Sequence, residues 1–220
     1  MVQPLEKTIS PEEYLDWEED QPTKHEYFHG RIYAMTGGSL EHVTVIQNLG
    51  ASLSNRLRGG KCRVFTSELR VKVDATGLYT YPDASVVCGE MQLDRRTKSV
   101  TLLNPTLIIE VLSPSTEAYD RGDKFNHYRR LPSLTDYILI STRSAQVEHF
   151  QRHEDENWLL TVRTGNEATL TIKALGIELP FTEIYEYVEF PAIPVLVSHA
   201  DSEPDENSGV SGDQARAVQP

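Results

Sequence analysis

Cysteine is nearly missing from this 220-residue chain, with Cys62 and Cys88 its two thiols. That is too few for the framework of a disulfide-stapled secreted domain. Both are expected to be small buried residues of a reduced compartment. No Cys/His cluster has the spacing of a zinc site. Long apolar runs are missing too, and no window holds about 18 uncharged apolar residues, so no transmembrane helix is expected. Met1 to Lys7 lacks the apolar core of a signal peptide, which points to the cytoplasm. Bases are scarce beside acids: 21 Lys and Arg stand against 33 Asp and Glu, for a net charge of -12. A surface built to hold duplex DNA without sequence preference carries the opposite sign. An enzyme whose acids gather at a metal and whose bases gather on one face still fits that balance.

What is present is ordinary for a soluble globular chain, 39% hydrophobic and 25% charged. The length suits one domain with a sizeable core, expected over residues 1–198. From 199 to 220 large apolar groups almost vanish, and Asp201, Glu203, Asp205, Glu206 and Asp213 face only Arg216. Such a segment cannot offset its ordering entropy and is expected to be an acidic disordered tail.

Local signals set the element order. Ser10-Pro11-Glu12-Glu13 has the form of a capping box and predicts a helix ending near Glu19. A hairpin is expected over His25–His29 and Arg31–Thr36, turning at Gly30. Apolar residues from Val43 to Leu57 recur at helical spacing, which predicts a helix over about Leu40–Arg58 with Ser39 as N-cap. Arg63–Val73 alternates like one strand. Ala84–Cys88 and Thr106–Leu112 are nearly unbroken apolar strands of central type, and Met91–Ser99 is polar and loop-like. A helix over Tyr119–Leu131 stops at Pro132, and Asp136–Ser141 is another strand. Gln146–Arg152, Asn157–Arg163 and Thr169–Ala174 predict an antiparallel meander, with a short helix within Glu178–Tyr187. The fold class is α/β (α+β): a mixed sheet flanked by helices, with extra antiparallel strands.

The chemistry gathers between Tyr81 and Tyr137. Asp83 follows a proline and leads into a core strand. A carboxylate there is a turn acceptor or a placed ligand, and the buried strand that follows favours the ligand. Glu110 lies inside Leu107-Ile108-Ile109 and Val111-Leu112, where an acid is costly unless paired or metal-bound. It is the partner of a buried base, a Mg²⁺ ligand or a general base. Asp120, Lys124 and Tyr128 share a helix face. Lys124 either makes an exposed pair with Asp120 or points inward, and Tyr128 either packs in the core or meets Lys124 or substrate. Taken together, two strand-borne acids, Asp83 and Glu110, supply what Mg²⁺ (or Mn²⁺) asks of a protein before waters and phosphate oxygens complete its shell. Lys124 would then stabilise transition-state charge in phosphodiester hydrolysis. Glu68, between Ser67 and Leu69 in the preceding strand, is a candidate third acid facing the metal. Ser113 has no His–Asp arrangement and reads as a turn hydroxyl. Gly37-Gly38 is too little for a phosphate loop.

The segments YPDASVVC (from Tyr81), PTLIIEVLSPST (from Pro105), DRGDKFNHYRRLPSLTDYILIS (from Asp120) and KHEYFHGRIYAMTGGSLEHVTVIQNL (from Lys24) resemble the Uma-two family of restriction-endonuclease relatives. Asp83 and Glu110 resemble the PD-(D/E)xK nuclease pattern. The likeness runs over about residues 8 to 190. It implies a restriction-endonuclease-like fold and Mg²⁺-dependent cleavage of DNA by Asp83, Glu110 and Lys124, and it draws Glu26 and His42 in as residues that line the site. The chain departs from the simple motif at Leu112, where a lysine would stand two residues after the second acid, and Lys124 takes that place. By analogy, duplex cleavage implies a homodimer. Other readings are a catalytically silent nuclease fold that binds a protein or nucleic acid, which the acidic body favours, and a hydrolase of a smaller phosphate ester.

Overall fold

The computed structural model describes residues 8–96, 98–154 and 157–191. The acidic tail expected from residue 199 lies outside the described residues. Helix α1 (Pro11–Glu18) starts on the expected box: the Ser10 side chain accepts from the Glu13 N–H, and the Glu13 carboxylate accepts from the Ser10 N–H at 2.7 Å. Strands β1 (His25–Phe28) and β2 (Arg31–Ala34) follow as a hairpin. His29 (φ 47°) and Gly30 (φ 80°) supply the two left-handed residues of its two-residue turn. Helix α2 (Leu40–Leu57) is capped by Ser39 and buries Val45, Leu49 and Leu53.

Next come β3 (Cys62–Thr66), β4 (Arg70–Val73), β5 (Leu78–Thr80), β6 (Ala84–Cys88), β7 (Leu93–Asp94), β8 (Thr101–Leu102) and β9 (Leu107–Leu112). The following helix has three contiguous parts: α3 (Glu117–Tyr119), a π-helical turn (Asp120–Lys124) and α4 (Phe125–Tyr128). The chain closes with β10 (Asp136–Ser141), β11 (Gln146–Arg152), β12 (Trp158–Thr164), β13 (Thr169–Ile172), β14 (Ile177–Pro180) and α5 (Phe181–Ile184).

Two six-stranded mixed sheets carry the fold. One has the order β2-β1-β5-β4-β8-β7 and the other β12-β11-β10-β9-β6-β3. In the second, β9 and β10 run parallel with Glu110 beside Leu139, and β6 runs antiparallel on the other side of β9. All six residues of β9 are buried. Their alternation feeds two cores. Leu107, Ile109 and Val111 pack with Val45, Leu49 and Leu53 of α2. Ile108 and Leu112 pack with Tyr128, Tyr137 and the first sheet's Val71, Val73 and Leu78. The second layer, between the sheets, is therefore the side on which Glu110 points.

Four expectations need correction. The run Arg63–Val73 is two strands, not one. Leu69 N–H donates to the Thr66 carbonyl, the chain turns at Ser67-Glu68, and β3 and β4 enter different sheets. Alternation alone does not register a tight turn that keeps the period of two. The loop 91–99 contributes the short strand β7, paired with β8. The expected three-strand meander stops at β12. Strand β13 leaves the sheet to pair with β14, which takes up the start of the stretch Glu178–Tyr187 expected to hold a short helix; the helix itself is α5. Finally, Cys62 and Cys88 are not free thiols. They face each other across the β3–β6 ladder and form a disulfide. Their pairing rests on strand register, which spacing 26 residues apart does not reveal.

Candidate active site

Asp83 immediately precedes β6. The β6–β9 register pairs Ala84 with Ile109, so one step further Asp83 falls opposite Glu110. Its Oδ2 accepts the Val111 N–H at 2.7 Å, extending the ladder with a side chain where the strand has ended. The two acids expected on neighbouring strands thus stand side by side on the face between the sheets.

Lys124 reaches them from the helix. Its Nζ lies 3.0 Å from Glu110 Oε1, 3.2 Å from Glu26 Oε1 and 3.4 Å from Asp120 Oδ1. The side chain is 6% exposed. The π turn that contains both Asp120 and Lys124 is wider than an α turn, and both residues point inward from it. Tyr137 anchors this turn by donating its hydroxyl to the Asp120 carbonyl at 2.9 Å. Tyr128, fully buried on α4, donates to Glu110 Oε1 at 2.8 Å. It therefore packs in the core and meets the site as well.

Glu26, on β1, joins the cluster through Lys124 and accepts from Thr80 Oγ1 at 2.5 Å. His42, in the first turn of α2, holds Nε2 at 3.4 Å from Asp83 Oδ2. Its Nδ1 is buried without a hydrogen-bond partner. A Cβ on Gly38 would sit 2.3 Å from that Nδ1, so Gly38 serves the packing of His42 and forms no phosphate loop. The Ser113 hydroxyl lies 3.0 Å from Ser115 Oγ and 2.9 Å from Thr116 Oγ1, in the turn leading to α3. Glu68 is corrected: it is in the exposed β3–β4 turn, paired with Lys24, and does not line the cleft. Once the strand breaks at residue 67, the alternation that aimed Glu68 at the site no longer applies. Asp120, placed by its spacing on the helix face of Lys124, is a further acid of the cluster. It is 2% exposed, and its i,i+4 relation to a lysine on a core-facing helix was the signal to follow.

Electrostatics follow from burial. Desolvation raises the Glu110 carboxyl well above its ordinary range; Asp120 and Asp83 add to this, and Lys124 opposes it. Asp120 is raised by burial in the same way. Burial alone would depress the Lys124 ammonium, but Glu110, Glu26 and Asp120 outweigh it and hold Lys124 well above the usual lysine range. Burial likewise pulls His42 down, and the Asp83 carboxylate more than reverses that. The cluster holds more carboxylate than one ammonium neutralises. Among the described residues no three His, Cys, Asp or Glu side chains converge on one metal position. Mg²⁺ asks for one or two carboxylates, with waters and substrate oxygens completing its shell. Asp83 and Glu110 fit that smaller demand, and Asp120 Oδ1 faces the Lys124 ammonium at 3.4 Å.

These groups open on a cleft of about 770 Å³. Two mixed sheets with helices packed against them give the chain a mixed α+β fold. The chain belongs to the Uma2 family, described as "Putative restriction endonuclease", whose profile matches residues 11–182. It is similar to two proteins of Synechocystis sp. (strain ATCC 27184 / PCC 6803 / Kazusa). The uncharacterized protein slr1290 is 43% identical over 183 residues, covering 83% of this chain and 94% of that one. The uncharacterized protein sll1609 is 34% identical over 178 residues, covering 80% and 99%. A crystal structure described as a "putative nuclease belonging to DUF820" from Anabaena variabilis ATCC 29413 superposes with a TM-score of 0.64 at 17% identity, over 80% of this chain and 98% of that one. That likeness establishes the fold. Among the described residues no helix is long and apolar enough to cross a membrane.

Proposed function

We propose that this protein is a Mg²⁺-dependent endonuclease that hydrolyses DNA phosphodiesters. The observation that carries the reading is the meeting of Lys124 Nζ with Glu110 at 3.0 Å, next to Asp83, in one cleft. Asp83 and Glu110 would hold the metal, which when bound offsets charge on the scissile phosphate and lowers the pKa of a water. Lys124 keeps its proton because carboxylates surround it, so it supplies a fixed positive charge to the phosphoryl oxygens as negative charge grows there. Glu26, Asp120 and Tyr128 hold that ammonium and its acceptor in place. Thr80 fixes Glu26 by donating to it. His42, held against Asp83, whose carboxylate raises its affinity for a proton, is placed to bind a phosphate oxygen or to pass a proton to the departing oxygen.

The net charge of -12 favours a second reading, a silent nuclease fold used for binding. A cleavage assay on plasmid and single-stranded DNA with Mg²⁺ or Mn²⁺ separates the two. Metal-dependent cleavage lost on Asp83→Asn, Glu110→Gln and Lys124→Met, each checked for folding, supports the enzyme. Cleavage that persists in all three single variants overturns the assignment.

A further inference from the structure

The cleft has two unlike walls. Glu26 and Phe28 are alternate residues of β1, and Tyr33 is the cross-strand partner of Glu26 on β2, so all three share one face of the hairpin. Phe28 and Tyr33 both line the cleft, and so does His127 from α4. The His127 ring meets Phe28 edge-on at a centroid distance of 4.5 Å. Phe28 and Tyr33 are half-buried, with area left for a further contact. This wall is aromatic and starts beside the carboxylate that holds Lys124. The rest of the lining includes polar groups: Ser39, Ser113 and Thr116 bring hydroxyls, and His42 an imidazole.

A nucleotide divides in the same way, into a flat apolar base and a charged phosphate. With the phosphate at Lys124 and His42, the base meets Phe28, Tyr33 and His127. In a duplex the base faces are covered by their neighbours, and an aromatic wall inside a cleft cannot reach them unless the base leaves the stack. Unpaired bases present their faces freely and stack on aromatic side chains whatever their identity. Charge argues the same way. A single strand has a lower density of phosphate than a duplex and is less strongly repelled by an acidic chain.

We propose that Phe28, Tyr33 and His127 form a base-stacking subsite, and that the protein acts on unpaired nucleotides: single strands, flaps or frayed ends. The subsite rests on the nuclease reading above and deepens it. The preference is sequence-tolerant, because a stacking wall reads the face of a base and not its hydrogen-bonding edge.

The test uses the full-length protein and oligonucleotides carrying 5-iododeoxyuridine at successive positions, in chelator so that they stay intact. Binding is followed by anisotropy and photoadducts by peptide mass spectrometry, and a parallel assay with Mg²⁺ scores cleavage. The expected result is an adduct on Phe28, Tyr33 or His127, with single strands bound at least about tenfold more tightly than a blunt duplex of the same length. His127→Ala and Tyr33→Ser should each weaken single-strand binding by about tenfold and narrow the preference. Because Phe28 also packs against the core, the adduct on wild-type protein, not a Phe28 variant, carries the case for that residue. Cleavage accompanied by adducts only elsewhere, or equal binding of blunt duplex and single strand, overturns the subsite and leaves the nuclease standing. Neither binding nor cleavage of any oligonucleotide overturns both.

Discussion

Lys124 Nζ stands 3.0 Å from Glu110 Oε1, although the two residues come from a helix and a strand separated by a turn. The helix brings back to the acid the positive charge that Leu112, two residues further along β9, cannot supply. Leu112 is instead core, packed with Tyr128 and Tyr137.

Lys124→Met should remove the proposed cleavage, by about two to three orders of magnitude in single-turnover rate if its charge acts on the transition state. It should also leave Glu110, Glu26 and Asp120 without their shared counter-charge. Removing one partner of a buried pair typically costs about 3–5 kcal/mol. Denaturant melts at neutral pH should show that loss. A variant as stable as the parent would mean the ammonium is not holding the cluster together.

Asp120→Asn is expected to stabilise the metal-free protein at alkaline pH. Burial raises the Asp120 pKa in the folded state, so the folded protein binds this proton more tightly than the unfolded chain does. Its contribution to stability is full below the unfolded value, near about 3.9, and declines as pH rises through the raised one. The amide has no charge to desolvate. Thermal melts should show Asp120→Asn above the parent by about 2–4 °C per kcal/mol relieved at pH near 8, with the gap closing toward pH near 4. A gap independent of pH would show that the effect is not ionic.

Asp83→Asn and Asp83→Ala should differ. The amide keeps an oxygen to accept the Val111 N–H, while alanine orphans a donor at the end of the β6–β9 pairing. The alanine variant is expected to be less stable by about 1–3 kcal/mol, and the asparagine variant close to the parent. Both should lose cleavage if the carboxylate holds the metal. Urea melts alongside activity measurements separate the two losses.

The Cys62–Cys88 bond closes 26 residues of chain. Under denaturing conditions without reductant, both sulfurs should resist alkylation, and peptide mapping should recover them linked. In the chain-entropy treatment a loop of this length is worth roughly 3–4 kcal/mol, so the Cys62→Ala/Cys88→Ala pair should melt well below the parent. Free alkylation of both residues in native protein would refute the bond.

What could be read from the chain was whatever depended on near neighbours. The Ser10 box, the α2 stripe and the burial of β6 and β9 are local patterns, and each element lies within a residue or two of where its pattern places it. Glu110 is legible as an acid among apolar residues and Asp83 as one leading into a core strand, while Lys124 is legible through its helix face and the family resemblance. What escaped depends on partners distant in sequence. Glu68 went astray on a turn that keeps the strand period. The disulfide depends on the register of β3 against β6, and β13 on the choice of a new partner. Asp120 shares the helix face of Lys124 and Tyr128 by spacing, while its burial comes from partners on distant strands such as Tyr137.

The bond from the Val111 N–H to Asp83 has a consequence for how such sequences persist through time. Asp83 finishes a ladder, Glu110 anchors Tyr128 and Lys124, and Lys124 ties β1 to the helix. A descendant without cleavage would still be held by folding to Glu110 and Lys124, and at position 83 to a side chain with an acceptor oxygen. The same acids and lysine in another lineage would therefore record a shared architecture first, and a living reaction only where turnover has been measured.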